Sequence, residues 1–142
     1  NISSILGQIA LPGFGWYAAS KHAIEALSES LSGEVKALGI DVVVIAPGLI
    51  KTEFAAKQFE LLKTISHPLA YQKIIAGLYQ LLAGEPAAPS PEIIARAVLS
   101  AVTKSTPPVR HALPWDSKTA VIARWLLGGR LFAWAVRQQM RI

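Results

Sequence analysis

Apolar positions recur at steps of three and four near the start of the chain, where Ala23, Ile24, Leu27, Leu31, Val35 and Leu38 outline a helix from about Trp16 to Leu38. Gly39 supplies the expected stop. The period then changes: Ile40 to Ala46 is a β-branched run of the kind that forms a parallel strand buried on both faces, and Pro47-Gly48 breaks it. Ahead of the helix, residues 1–7 read as a strand end, and the Gly- and Pro-punctuated stretch from Gly7 to Gly15 reads as a loop.

Thr52 to about Gly84 is helical text interrupted at His67-Pro68, and residues 85–89 read as a loop. Ser90-Pro91-Glu92 predicts a further helix: a hydroxyl N-cap, a proline in the first turn, and an acid near the positive helix end. Its apolar stripe is Ile93, Ile94, Ala97, Val98, Ala101 and Val102, and Thr106-Pro107-Pro108 ends it. Val109 to Leu113 fits a short edge strand, and residues 116–142 read as two helical pieces hinged at Gly128-Gly129. Strand, helix, strand, helix in this order predicts half of a doubly wound, open α/β sheet built from right-handed crossovers. Such sheets bind ligands beyond the carboxyl ends of their strands.

Composition narrows the class. With 142 residues, 52% of them hydrophobic, the chain has the material for one folded domain. It does not begin with Met, and its first residues read like a strand entering a turn, so a fragment of a longer protein is expected. The lack of cysteine excludes disulfides and thiolate metal sites. His22, His67 and His111 are too scattered for a metal site and read as surface or packing residues. In the longest apolar stretch, Thr119 to Val136, Arg124, Arg130 and Gly128-Gly129 argue against a lipid-spanning helix. A soluble chain is expected, with the cytoplasm as the default compartment.

The net charge of +5 is unevenly placed. Residues 1–109 hold eight Lys/Arg and eight Asp/Glu, whereas residues 110–142 hold six Lys/Arg and only Asp116. The body has no zinc-ligand spacing, aromatic ribonucleoprotein motif or basic recognition helix, so no nucleic-acid partner is expected. On a helical wheel Arg130, Arg137 and Arg141 cluster beside Trp134, with Leu131, Phe132, Ala135 and Val136 on the other side. Two readings stay open: a helix packing on its own domain with a solvated basic face, which is the plainer one, or peripheral contact with an anionic membrane.

The chemistry lies in Tyr17-Ala18-Ala19-Ser20-Lys21, which sets a phenol and an ammonium four positions apart on one helix face. A nearby cation favours the phenolate, and such a phenol can exchange a proton with a substrate oxygen. A Tyr and a Lys one turn apart are common by chance. Here, however, Ser4 stands at a strand end thirteen positions before Tyr17, and Pro47-Gly48-Leu49-Ile50-Lys51-Thr52 follows.

In these three elements and their order the chain resembles the C-terminal half of the short-chain dehydrogenase/reductase family. The resemblance runs from Ser3-Ser4 through the Ser90-Pro91-Glu92 helix, and is greatest to members acting on steroids, retinoids and other lipophilic alcohols or ketones. It implies a Rossmann-like sheet with a helical substrate lid, NAD or NADP as cofactor, and a small lipophilic alcohol or ketone as substrate. It also implies roles. Ser4, favoured over Ser3 by the spacing to Tyr17, would hydrogen-bond the substrate oxygen. Tyr17 would be the general acid or base, and Lys21 would act on Tyr17 and bind the nicotinamide ribose. Pro47 and Gly48 would border the nicotinamide, the Ile50 backbone would meet its carboxamide, and Thr52 the carboxamide or pyrophosphate.

The implied organisation is a catalytic and nicotinamide-side core at 1–52, a substrate lid at 53–89, a helix and edge strand at 90–113, and basic amphipathic helices at 114–142. The lid carries Phe54, Phe59, Leu61, Leu62, Leu69, Tyr71, Ile74, Ile75, Leu78 and Tyr79, which fit a greasy substrate or a greasy core. Phe14 and Trp16 could line the pocket or simply pack. The family's glycine-rich phosphate loop and upstream asparagine have no counterpart here, so the isolated chain is expected to be inactive. The alternative is a non-catalytic interaction or membrane-surface module; a homo-oligomer stays open.

Overall fold

A computed structural model describes residues 1–83 and 87–142. Among these residues five α-helices and two short strands follow in the order α1 (Gly15–Val35), β1 (Val44–Pro47), α2 (Glu53–Thr64), α3 (Gln72–Leu82), α4 (Glu92–Thr103), β2 (Arg110–Leu113) and α5 (Trp115–Met140). The two strands pair in parallel, with Val44 opposite Arg110 and Pro47 opposite Leu113. On its other side β1 receives the start of the chain: Ser3 N–H donates to the Ile45 carbonyl at 2.8 Å, and Ile45 N–H to that of Asn1 at 2.9 Å. β1 is therefore central, and its residues Val44, Ile45 and Ala46 are all buried. This is the partial Rossmann-like sheet that the element order predicts, with β2 at the edge.

Most predicted boundaries hold. The first helix runs to Val35, continues as one tighter turn at Lys36–Leu38, and stops at Gly39 in the left-handed conformation (φ 73°). The interruption at His67-Pro68 separates α2 from α3. The strand is shorter than its β-branched run: pairing begins at Val44, Pro47 is its last residue, and Ile40 is exposed. Glu85 and Pro86 of the expected loop at 85–89, like Gly84, lie outside the described residues.

Two expectations need correction. Ser90 does not cap α4; its hydroxyl donates to the Glu92 carboxylate, and Pro91 occupies the cap position with helical dihedrals. More consequentially, α1 does not bury its apolar stripe. Leu27, Leu31 and Leu38 are exposed, while Ala18, Glu25 and Ser28 are buried. The buried face is small and polar because it meets specific partners. Ser28 accepts a hydrogen bond from the Asn1 amide at 2.8 Å, and the Arg110 guanidinium donates to Glu25 Oε2 at 2.7 and 2.8 Å. Helix and strand are thus joined across 85 residues by an ion pair at a position 6% exposed.

Two apolar clusters hold the remaining layers. Leu6, Ile9 and Ala18 gather Leu11, Phe14, Tyr17, Val121 and Phe132 around them; Leu78 of α3 packs with Val136 and Met140 of α5. α5 bends at Gly128, whose φ of 67° and ψ of 176° lie outside the helical region, so the two expected pieces meet at the expected hinge.

The ion pair yields a prediction. Glu25→Ala should lower stability by about 1–3 kcal/mol, less than a wholly buried pair loses, because Arg110 keeps access to water. Glu25→Leu with Arg110→Met should recover most of that loss in urea denaturation, since it leaves no charge without its partner.

Candidate active site

The carboxyl end of β1 and the turn after Ser3 come together because residues 1–3 run beside Ile45. Ser4, in extended conformation (φ −160°, ψ 162°), caps the short turn Ile5–Gly7: its Oγ accepts from Leu6 N–H at 3.2 Å and donates to the Pro47 carbonyl at 3.3 Å. Ser3 Oγ reaches instead toward the Lys21 carbonyl at 3.4 Å, so the adjacent hydroxyls have different partners, as alternation along an extended segment requires.

Tyr17 and Lys21 lie in the first two turns of α1, where the four-residue step stacks them. The Lys21 ammonium sits 5.7 Å from the centroid of the Tyr17 ring and donates to the Ile2 carbonyl at 3.2 Å. Phe14 meets the tyrosine ring edge-on at 6.2 Å, and Phe54 of α2 lies against it at 5.6 Å. The two aromatic contacts orient the phenol ring, and the Ile2 carbonyl holds the ammonium.

Ser4, Tyr17, Lys21, Pro47, Gly48, Ile50 and Thr52 all line one cavity of about 1370 Å³. This exceeds the ~300–1,000 Å³ of pockets for single drug-sized ligands, and leaves room for two groups side by side. Ser3 also reaches the wall, so lining does not separate the two serines, whose hydroxyls differ only in the backbone groups they meet. Phe14 lines the cavity, whereas Trp16 is 94% exposed. Ile50 is buried and Thr52 stands at the N-terminus of α2. The apolar residues of the expected lid segment divide: Leu78 is buried and Phe54 lines the cavity, but Leu61, Leu69 and Tyr71 are exposed. His22 and His67 bond to backbone carbonyls of Ala18 and Leu62, in keeping with packing roles.

Sequence reasoning missed three contributors. The Ile2 carbonyl that holds Lys21 is a backbone group with no signature in the text. Phe54 was one apolar lid residue among many. Ser117, at the start of α5, is buried against Gly48 on the cavity wall, and only the fold brings these two together.

Comparison with known proteins follows the same lines. A family model described as short chain dehydrogenase matches residues 1–63. The uncharacterized oxidoreductase YbbO of Escherichia coli (strain K12) is 31% identical over 131 residues, which cover 91% of this chain and 44% of that protein. The 17-beta-hydroxysteroid dehydrogenase type 6 of Rattus norvegicus is 41% identical over 64 residues, 45% of this chain and 20% of that protein. Among solved structures, a short-chain dehydrogenase from Streptomyces avermitilis superposes with a TM-score of 0.71 at 29% identity, covering 88% of this chain and 45% of that one. The chain spans a little under half the length of the Escherichia coli and Streptomyces relatives.

Gly48 leaves no room for a side chain. A Cβ there would overlap the Ser117 hydroxyl, so Gly48→Ala should cost about 1–3 kcal/mol by forcing the start of α5 away from the cavity. Adding Ser117→Gly should restore most of the lost melting temperature.

Proposed function

The chain belongs to the short-chain dehydrogenase/reductase family, and from that premise we propose that its cavity is the nicotinamide-side and substrate-side part of an NAD(P)-dependent oxidoreductase site. The substrate proposed is a lipophilic alcohol or its ketone. The observation that carries this reading is that Ser4, Tyr17 and Lys21 share one cavity wall with the segment after β1.

The donors present suit the nicotinamide end of the cofactor. Lys21 would be the cation for the ribose hydroxyls, and on the same cavity wall the Ile50 backbone would meet the carboxamide and the Thr52 hydroxyl the carboxamide or the pyrophosphate. The cofactor would supply or accept a hydride; placement and proton transfer fall to the protein. Ser4 can turn its hydroxyl to a substrate oxygen at little cost, because the 3.3 Å bond it gives up to Pro47 is at the long end of the range. Tyr17 donates its phenol proton to that oxygen in ketone reduction and takes one back in alcohol oxidation. Lys21, held by Ile2, stays within reach of the phenol ring and opposes the charge that develops when Tyr17 loses its proton.

The class of substrate follows from the walls. Leu6, Ile9, Leu11, Phe14 and Phe54 surround Tyr17, and Val98 and Leu99 of α4 face the same space, which favours apolar bodies carrying one reactive oxygen. A relative named for a hydroxysteroid substrate supports the same class.

In the full-length protein Tyr17→Phe should lower kcat by about 10²- to 10⁴-fold while the cofactor Kd changes little, as loss of a proton donor with intact packing requires. Lys21→Met should lower kcat and also weaken cofactor binding. Steady-state kinetics with a steroid or retinoid panel, together with cofactor titration by fluorescence, measures both; turnover retained by Tyr17→Phe would refute the assigned role.

A further inference from the structure

The same helix that closes one side of the cavity carries an outer face that none of the described residues covers. On the first arm of α5, Trp125 is 81% and Leu126 67% exposed, with Ile122 beside them; on the second arm, past Gly128, Trp134 is 55% exposed, with Leu131 alongside. The inner face of the second arm is satisfied, since Phe132, Val136 and Met140 pack in the two apolar clusters. Leu131 therefore lies outside, not with Phe132 and Val136 as the helical wheel groups it.

Around Trp134 stand Arg130, Arg137 and Arg141, all exposed. Among the described residues, none of the three is in an ion pair. Exposed tryptophans and leucines beside unpaired arginines are the composition of a helix that lies in the headgroup region of a bilayer.

We propose that the outer face of α5 docks on an anionic membrane surface. Charge selects this occupant over a second copy of the chain: residues 110–142 carry six Lys/Arg and one acid, so two such faces brought together would repel. Docking in the plane is favoured over spanning, although Ser117–Met140 is long and apolar enough to cross a bilayer. The extended ψ at Gly128 interrupts the hydrogen-bond ladder in mid-helix, which is costly in hydrocarbon, and the inner face is already engaged by α3 and the Leu6 cluster. Ala123, Leu127, Phe132 and Gln139 of this helix line the cavity. A docked α5 would therefore set the cavity beside the phase where lipophilic alcohols concentrate, a consequence that rests on the proposed function, whereas the docking itself does not.

Sedimentation of the full chain with phosphatidylcholine vesicles, with and without phosphatidylserine, tests the proposal. Binding should appear with the anionic vesicles, fall at high salt, and bring tryptophan fluorescence under quenching by brominated acyl chains. W125A/W134A should weaken it by about tenfold or more through lost apolar burial, and R130Q/R137Q/R141Q should remove the preference for anionic lipid by a similar factor. These positions are exposed, so both variants should keep the wild-type circular dichroism. Equal sedimentation with and without vesicles would overturn the proposal. So would unchanged binding by both variants, or a doubled mass in light scattering that W125A/W134A abolishes, which would assign the face to a second copy.

Discussion

The two backbone hydrogen bonds between residues 1–3 and Ile45 govern the position of everything chemical in this chain. They lay the first residues alongside a central parallel strand in such a register that the turn after Ser3 and the end of β1 at Pro47 finish at the same level. The Ser4 hydroxyl then spans from the Leu6 amide to the Pro47 carbonyl. Lys21 reaches the Ile2 carbonyl from α1, so the helix that bears the phenol is tied to the same extended segment. The serine comes from the extended first segment and the phenol and ammonium from α1, but their positions share one origin in the sheet.

Around that origin the packing is arranged to leave space as well as to fill it. α1 packs inward through Ala18, Glu25 and Ser28, while Trp16, Leu27 and Leu31 are directed away. The Glu25–Arg110 pair ties α1 to the edge strand, while α3 and α5 make their own apolar contact through Leu78, Val136 and Met140. The space left between these layers is the cavity, apolar along most of its wall and polar where the strands end. Parallel sheets commonly place ligand sites there, because loops diverge at the carboxyl ends of their strands.

Much of this was legible in the text. Gly39 ends the first helix, the β-branched run becomes the central strand, and Gly128 breaks the last helix, because each depends on local backbone preference. The candidate site was legible for a different reason: four-residue spacing places Tyr17 and Lys21 together on any helix, and Ser4 and Pro47 each stand at a strand end. What periodicity misled was the orientation of α1. An apolar stripe predicts a buried face only when no better partner exists for the opposite one, and here Asn1 and Arg110 supply hydrogen bonds to Ser28 and Glu25 from distant parts of the chain. Ser117 beside Gly48 was hidden likewise, since the 68 intervening positions carry no register between them. Ser90 failed as a cap because Pro91 already has helical dihedrals and takes the cap position, one residue later than the text suggests.

The central claim, that this cavity serves hydride exchange at a carbon whose oxygen meets Ser4 and Tyr17, is tested most directly by following the transferred atom. The full-length protein would be given a lipophilic ketone and nicotinamide cofactor deuterated at ring carbon 4, and the product alcohol examined by mass spectrometry. The account predicts a single deuterium on the carbinol carbon and a solvent-exchangeable proton on its oxygen. Folded protein that binds cofactor yet yields no labelled alcohol from any steroid, retinoid or comparable ketone would contradict it.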